Sequence, residues 1–434
     1  MDKLKSLAKR LLSVDIVKVF SLNAVATFVR MLAGLISVKV IAVIIGPAGV
    51  ALLGQLKNFE TILIGLANGG INNGITKYVS EYKEDEQKTK LYISNALKIT
   101  LICTAIIAVI LIFGSYYLSK AILLSADYSY VFIVFGFTII LYSLNTVLIS
   151  IINGYKQFKK YVVVNICGTL FGLVYSVILV FLWELPGALI NAVTYQSIVF
   201  FVTLWLCRDL PWMKKEYFAE KLDKKVVKKY FNYSLMTLTT LALVPVSRMF
   251  LRGYVISEIS ATEAGIWEGM NNISTMYLNV LVSSLSIYYL PRMSELSNPK
   301  ELHNELFHCY KFVIPILLVL GVAIFLLRDF IIWFLFTPEF ESMRNLFSWQ
   351  LIGDFFKMCS WLLAYIMVAK AKTKTYITTE VVFTLLYLVF AFVLLKLNGI
   401  VGLVQGYLVN YVLYMITMCI LFRNIIKVEH TNNK

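Results

Sequence analysis

An all-helical protein that crosses a membrane many times is the fold this sequence predicts, and three observations predict it. Of its 434 residues, 59% are hydrophobic and only 15% are charged. Mean hydropathy is +0.77, and a soluble domain of that composition would leave extensive apolar surface in water. Finally, the apolar residues gather into stretches long enough to cross a hydrocarbon layer of about 30 Å, which takes about 20 residues as a helix.

In chain order these stretches cover 16–45, 48–79, 91–115, 130–152, 161–183, 188–207, 230–256, 266–290, 309–328, 346–369, 378–396 and 403–422, about twelve transmembrane helices. The first two exceed the bilayer thickness and have room to tilt or protrude. The apolar patch 330–336 is too short to span and reads as interfacial. At the start, MDKLKSLAKRLLSV is a basic amphipathic stretch expected to lie along the cytoplasmic surface, with no cleavable signal peptide evident.

A net charge of +15 raises the question of nucleic acid, and the distribution of charge answers it. Lys and Arg crowd into 1–18, 77–90, 156–160, 208–229, 292–311, 370–374 and 423–434, whereas the opposite side carries only Lys120, Arg328, Arg344 and Lys396. That asymmetry is the positive-inside rule, so both termini are expected in the cytoplasm and the basic excess records topology rather than nucleic-acid binding. Cys103, Cys167, Cys207, Cys309, Cys359 and Cys419 are scattered without CxxC spacing. They read as small apolar residues, with neither disulfide nor metal implied. His303 and His308 fall in a cytoplasmic loop without supporting ligands and read as solvated.

The longest charged interruption, 208–229, divides the spans six and six. It suggests an N-terminal lobe (1–207), a basic cytoplasmic linker (208–229) and a C-terminal lobe (230–434). A faint internal repeat crosses it: FVRMLAG (28–34) resembles VSRMFLRG (246–253), and the following hairpins read PAGVALLG (47–54) and EAGIWEG (263–269). Six spans return the chain to the same face, so the repeat is parallel, with a pseudo-two-fold axis along the membrane normal. Two bundles rocking in this way make an alternating-access transporter. Outward loops such as WELPG (183–187) and LNGIVG (397–402) are very short, which disfavours a membrane polymerase or ligase with an external catalytic lobe.

The residues with chemical potential are the polar ones inside the spans. Arg30 and Arg248 sit well within apolar stretches, where a guanidinium costs several kcal/mol unless it faces water or an anion. They point to a negatively charged substrate. From Arg30, snorkelling would have to cover about 20 Å at 1.5 Å per residue, beyond a side chain's reach. Arg252 and Lys39 lie nearer a boundary, where snorkelling accounts for them. Gly65, Asn68, Gly69, Asn72 and Thr76 are spaced along one face of the second span, and Asn272, Thr275, Asn279, Ser283 and Ser286 along the eighth. Such stripes either pack helices together, with Gly65 and Gly69 in GxxxG spacing, or line a cavity. Lys57 with Glu60, and Asp354 with Lys357, are three apart. They are either self-neutralising pairs or groups that couple transport to a proton or sodium gradient. Pro245 and Pro315 interrupt spans, and Pro245, three residues before Arg248, is a candidate hinge. No GxxxxGK[ST] phosphate loop is present, so direct ATP use is not expected.

The stretch IIGPAGVALLGQLKNFETILIGLANGGINNGITKYVSEY (44–82) resembles the first hairpin of Wzx-type lipid-linked oligosaccharide flippases, such as O-antigen and enterobacterial common antigen translocases. These belong to the multidrug/oligosaccharidyl-lipid/polysaccharide exporter superfamily. The resemblance implies two six-helix lobes around a cavity lined by spans 1, 2, 7 and 8. It also implies an undecaprenyl-pyrophosphate-linked oligosaccharide as substrate, moved to the periplasmic leaflet of the bacterial inner membrane. A polysaccharide polymerase and a chain-length regulator are the implied partners, with no enzymatic cofactor. On that basis Arg30, Arg248, Arg252 and Lys57 are candidates for the pyrophosphate, which arginine matches bidentately. Asn68, Asn72, Thr76, Asn272, Thr275 and Asn279 are candidates for the glycan and the cavity wall. Within the superfamily, a drug-cation antiporter would instead present acidic cavity residues, and peptidoglycan-precursor flippases usually have two further spans.

Overall fold

The computed structural model describes residues 15–296, 298–370 and 372–426, with side chains at all of these except 15–25, 232–233, 235–240, 283–288 and 290–291. The amphipathic stretch 1–14 and the side chains of Ser283 and Ser286 therefore lie outside the described residues. Among those described there is no β-strand. The principal helices are α1 (Asp15–Ala67), α2 (Asn72–Tyr82), α3 (Glu86–Phe113), α4 (Ser115–Ile122), α5 (Ser129–Gly154), α6 (Phe158–Cys207), α7 (Lys224–Glu258), α8 (Ala261–Glu295), α9 (Pro299–Leu326), α10 (Arg328–Leu335), α11 (Phe347–Ala369), α12 (Thr373–Asn398), α13 (Ile400–Leu421) and α14 (Arg423–Ile426).

Every span predicted from the sequence finds a helix. Among the described residues, eight helices are long and apolar enough to cross a membrane, and two of those hold two spans each. In α1 the chain turns at Gly46 (φ 63, ψ −177), a conformation that only glycine adopts without penalty, and Pro47 removes the next backbone donor. In α6 the turn is at Glu184 (φ 49). The two arms of α6 then run back along each other. A methyl group at Gly187 would lie 1.9 Å from the Leu179 carbonyl oxygen, the Tyr175 and Thr194 hydroxyls are 3.0 Å apart, and Lys160 donates to the Leu206 carbonyl at 3.1 Å. Helices α7 and α8, of 35 residues each, are long enough but are not among those eight apolar helices. They carry most of the second-half candidate residues. The apolar patch 330–336 falls largely on α10, where Phe330, Trp333 and Phe334 are exposed.

One expectation fails. The second span is not a continuous helix over 48–79. The Gly69 N–H donates to the Leu66 carbonyl and the Gly70 N–H to the Gly65 carbonyl, both at 2.9 Å. Gly69 (φ 60) and Gly70 (φ 66) both take left-handed backbone. This is the paired-bond C-terminal cap that glycine favours. It ends α1 at Ala67, and α2 begins at Asn72. Gly65, Asn68, Gly69, Asn72 and Thr76 are therefore not one helical face, and the GxxxG spacing serves a cap rather than a helix crossing.

Packing divides the chain into two compact units. The first comprises Met1–Ile44 and Leu53–Pro245, and the second Ile45–Leu52 and Val246–Lys434. These edges differ from a boundary at 208–229, because that segment is docked on the first unit. Trp212 is 2% exposed and stacks on Tyr155 with ring centroids 6.0 Å apart. Asn95 donates to the Lys221 carbonyl at 3.2 Å and accepts from the Asp223 N–H at 2.7 Å, while Ser94 donates to the Glu220 carbonyl at 2.8 Å. The chain leaves the first unit inside α7, after Pro245.

Candidate substrate-binding residues

In the first unit, the predicted residues occupy different environments. Arg30 on α1 is exposed among Phe28, Met31 and Leu32, themselves exposed. It has no ion-pair or hydrogen-bond partner among the described residues. Lys57 is exposed, whereas Glu60, one turn on, is 9% exposed and interacts with the Tyr142 hydroxyl. Lys57 and Glu60 lie within electrostatic range but form no direct ion pair. Periodicity alone put them on one face, but burial separates carboxylate from ammonium.

At the break between α1 and α2, Asn68 is fully buried, and neither end of its amide meets a hydrogen-bond partner among the described residues. Asn72 is half-buried, with its Oδ1 likewise unpartnered. Thr76 donates to the Ser150 carbonyl at 3.2 Å, which ties α2 to α5. Of the three, Asn68 and Asn72 keep polar capacity unfilled, and Thr76 is committed to the fold.

In the second unit, Arg248 and Arg252 lie one turn apart on α7 and have different roles. Arg252 is 0% exposed, its guanidinium pairs with Glu268 of α8, and it sits 5.8 Å over the Trp267 ring. A buried guanidinium with a carboxylate and an aromatic face is a structural cross-link between two helices. Arg248 is half-buried and, among the described residues, has no carboxylate partner. Along α8, Asn272 is half-buried while Thr275 and Asn279 are exposed. The face of α8 carrying Asn271 and Ser274 is buried.

Asp354 lies at the centre of a network the sequence did not reveal. Its carboxylate is 0% exposed. Oδ1 accepts from the Tyr407 hydroxyl at 2.7 Å and from Gln350 Nε2 at 3.1 Å. Oδ2 accepts from Ser274 at 2.7 Å and from Tyr277 at 2.6 Å. Four donors fill a carboxylate's acceptor sites, and they join α8, α11 and α13. Lys357 makes no ion pair with Asp354. Its ammonium lies instead over the rings of Trp361, Tyr407 and Tyr411, at 5.0, 5.6 and 5.4 Å. The Asp354 and Lys357 side chains attract within electrostatic range but do not touch. The spacings Gln350–Asp354 and Tyr407–Tyr411 were visible as helical neighbours, but which helix faced which was not.

A bundle of long apolar helices, with no strand among its described residues and with basic, amide and hydroxyl side chains within its spans, defines a multi-pass helical membrane protein. The chain belongs to the polysaccharide biosynthesis protein family, whose model matches residues 16–297. Over 400 residues it is 29% identical to the lipid III flippase of Escherichia coli (strain K12), covering 92% of this chain and 96% of that protein. The lipid III flippase of Shigella flexneri matches to the same extent. Among solved structures, it is similar to a multidrug resistance MATE family transporter of the MOP superfamily in an inward-facing conformation, with TM-score 0.76 and 12% identity over 94% of this chain and all of that one. It is also similar to the lipid II flippase MurJ in an inward closed conformation, with TM-score 0.71 and 16% identity over 92% and 87% of the two chains. At such identities the likeness to solved structures establishes the fold.

Proposed function

We propose that this protein is a flippase for a lipid-linked oligosaccharide. The substrate is an undecaprenyl-pyrophosphate-linked unit of O-antigen or a related surface polysaccharide, moved from the cytoplasmic to the periplasmic leaflet of the bacterial inner membrane by alternating access. The observation that carries this reading is the pair of arginines, Arg30 and Arg248, held within membrane helices without an acidic partner among the described residues. A guanidinium there requires an anion or water, and pyrophosphate supplies two phosphoryl groups for its forked donors. The lipid III flippase relatives and the family match support the same substrate class. Pro245, where the chain passes between the compact units, is the proposed hinge. Glu60 and Asp354 are the carboxylates through which an ion gradient would act, and a polysaccharide polymerase and a chain-length regulator are the proposed partners.

Deleting the gene in its own host tests the reading. The expected result is loss of a surface polysaccharide with accumulation of its lipid-linked unit in the cytoplasmic leaflet, and unchanged efflux of cationic drugs. Drug sensitivity with a normal surface glycan would instead identify a cation exporter. The orientation has its own measurement. Reporter fusions at Asn398 and Lys225 are expected to read periplasm and cytoplasm respectively, and the reverse pattern would overturn both cytoplasmic termini.

A further inference from the structure

Lys357 is the eleventh residue of α11, a helix of 23 residues, so its Cα lies about 15 Å from either end at 1.5 Å per residue. A side chain cannot snorkel that far. An ammonium at such depth requires stabilisation, and three aromatic faces supply it: Trp361 one turn further along α11, and Tyr407 and Tyr411 on successive turns of α13. Cation–π attraction stabilises the charge through the rings' negative faces. It leaves the three N–H donors of the ammonium unused, and among the described residues they have no hydrogen-bond partner.

The surrounding carboxylates do not take those donors. Asp354, one turn before Lys357, is filled by Tyr407, Gln350, Ser274 and Tyr277. Glu380 of α12 is within electrostatic range but forms no ion pair with Lys357. Tyr407 serves both groups, giving its hydroxyl to Asp354 and its ring face to Lys357, so the Asp354 network fixes the aromatic seat. Arg248, which also has no acidic partner among the described residues, is within electrostatic range of Lys357 and of Tyr411. Two cations are thus held near each other with their donors unfilled. Asp354 and Glu380 offset part of their charge from within electrostatic range without contacting the ammonium, and a multivalent anion can take the donors that these carboxylates leave open.

We infer that Lys357, seated on Trp361, Tyr407 and Tyr411, binds the substrate's pyrophosphate together with Arg248, so that the aromatic seat is part of an anion site in the second unit. This rests on the flippase reading above. The site takes a lipid diphosphate, with Arg248 supplying the forked contact and Lys357 a point charge. Arg252, committed to Glu268, takes no part.

The test measures binding of undecaprenyl pyrophosphate and of undecaprenol to the purified full-length protein in lipid nanodiscs. Wild-type protein is expected to prefer the pyrophosphate. Lys357→Met, which keeps length and an aromatic-compatible sulfur, is expected to weaken pyrophosphate binding at least tenfold and leave undecaprenol binding unchanged, with Lys357→Arg within about threefold of wild type. Unchanged pyrophosphate binding by Lys357→Met would overturn the inference, as would an equal loss for both lipids, the mark of a merely structural lysine. Wild-type protein that does not distinguish the two lipids would remove the flippase reading and this inference together, whereas selective wild-type binding that ignores position 357 would remove the inference alone. A second measurement covers the case in which Lys357→Met does not fold. Undecaprenyl pyrophosphate should change the fluorescence of Trp361, seen as the part of the signal missing in Trp361→Phe, and no such part would equally overturn the assignment.

Discussion

Replacing Arg30 by alanine is expected to abolish export of the surface glycan while leaving the amount of folded protein nearly normal, and Arg248→Ala is expected to do the same. Stability is spared because neither guanidinium has a carboxylate partner among the described residues to strand. By contrast, removing one member of a buried pair such as Arg252 and Glu268 leaves an uncompensated charge, which costs about 3–5 kcal/mol. Function is lost because a forked contact to a phosphoryl group is two charge-assisted hydrogen bonds, each worth about 1.5–3 kcal/mol. Losing both reduces transport by roughly a hundredfold or more at 1.4 kcal/mol per tenfold. Lysine at either position is expected to restore only part of the activity, since it keeps the charge without the fork. Immunoblotting for the protein beside staining of the surface polysaccharide makes the check. Full export by Arg30→Ala would withdraw Arg30 from substrate binding.

Gly265→Val is expected to be the most damaging single change to the fold. A methyl group at Gly265 would lie 1.7 Å from the Pro47 carbonyl oxygen and 2.8 Å from its Cα. Both belong to the second unit, where the tip Ile45–Leu52 packs. The obstacle is backbone on the inside of a sharp turn, so no rotamer change relieves it, and the loss should reach or exceed the 1–3 kcal/mol typical of overpacking. Gly321→Ala is the control, because an added methyl there meets nothing within 4 Å and alanine is the better helix former by about 1 kcal/mol. The thermal midpoint of the solubilised protein is expected to fall sharply for Gly265→Val and to hold or rise for Gly321→Ala. Equal midpoints would show that the tip does not pack against α8 as described.

The same contact shows what could and could not be read from the chain. PAGVALLG and EAGIWEG were visible as similar hairpins in the two halves, but similarity says nothing about contact. In the fold, Pro47 of one motif touches Gly265 of the other. The second span shows a limit of periodicity. Its polar residues fit a helical face at three- and four-residue spacing, yet Gly69 and Gly70 cap the helix in the middle of that pattern. Spacing records what a helix would present if it continued, and consecutive glycines decide whether it does.

The sequence by itself determined that the chain is helical and embedded, where its spans lie, and which halves carry an arginine. It also pointed, through the 44–82 hairpin, to the family to which the chain belongs. These properties follow from hydropathy, helix length and local composition, which act over a few turns. Only the tertiary structure decided which charges are spoken for. Arg248 and Arg252 lie in one short motif, and Asp354 and Lys357 are separated by one turn, so nothing local distinguishes them. Glu268 neutralises Arg252, four donors from α8, α11 and α13 enclose Asp354, and two rings of α13 together with Trp361 seat Lys357. Most of those partners lie on helices distant in sequence. A buried charge is settled by the groups that reach it in space, and their identity is a property of how the helices pack.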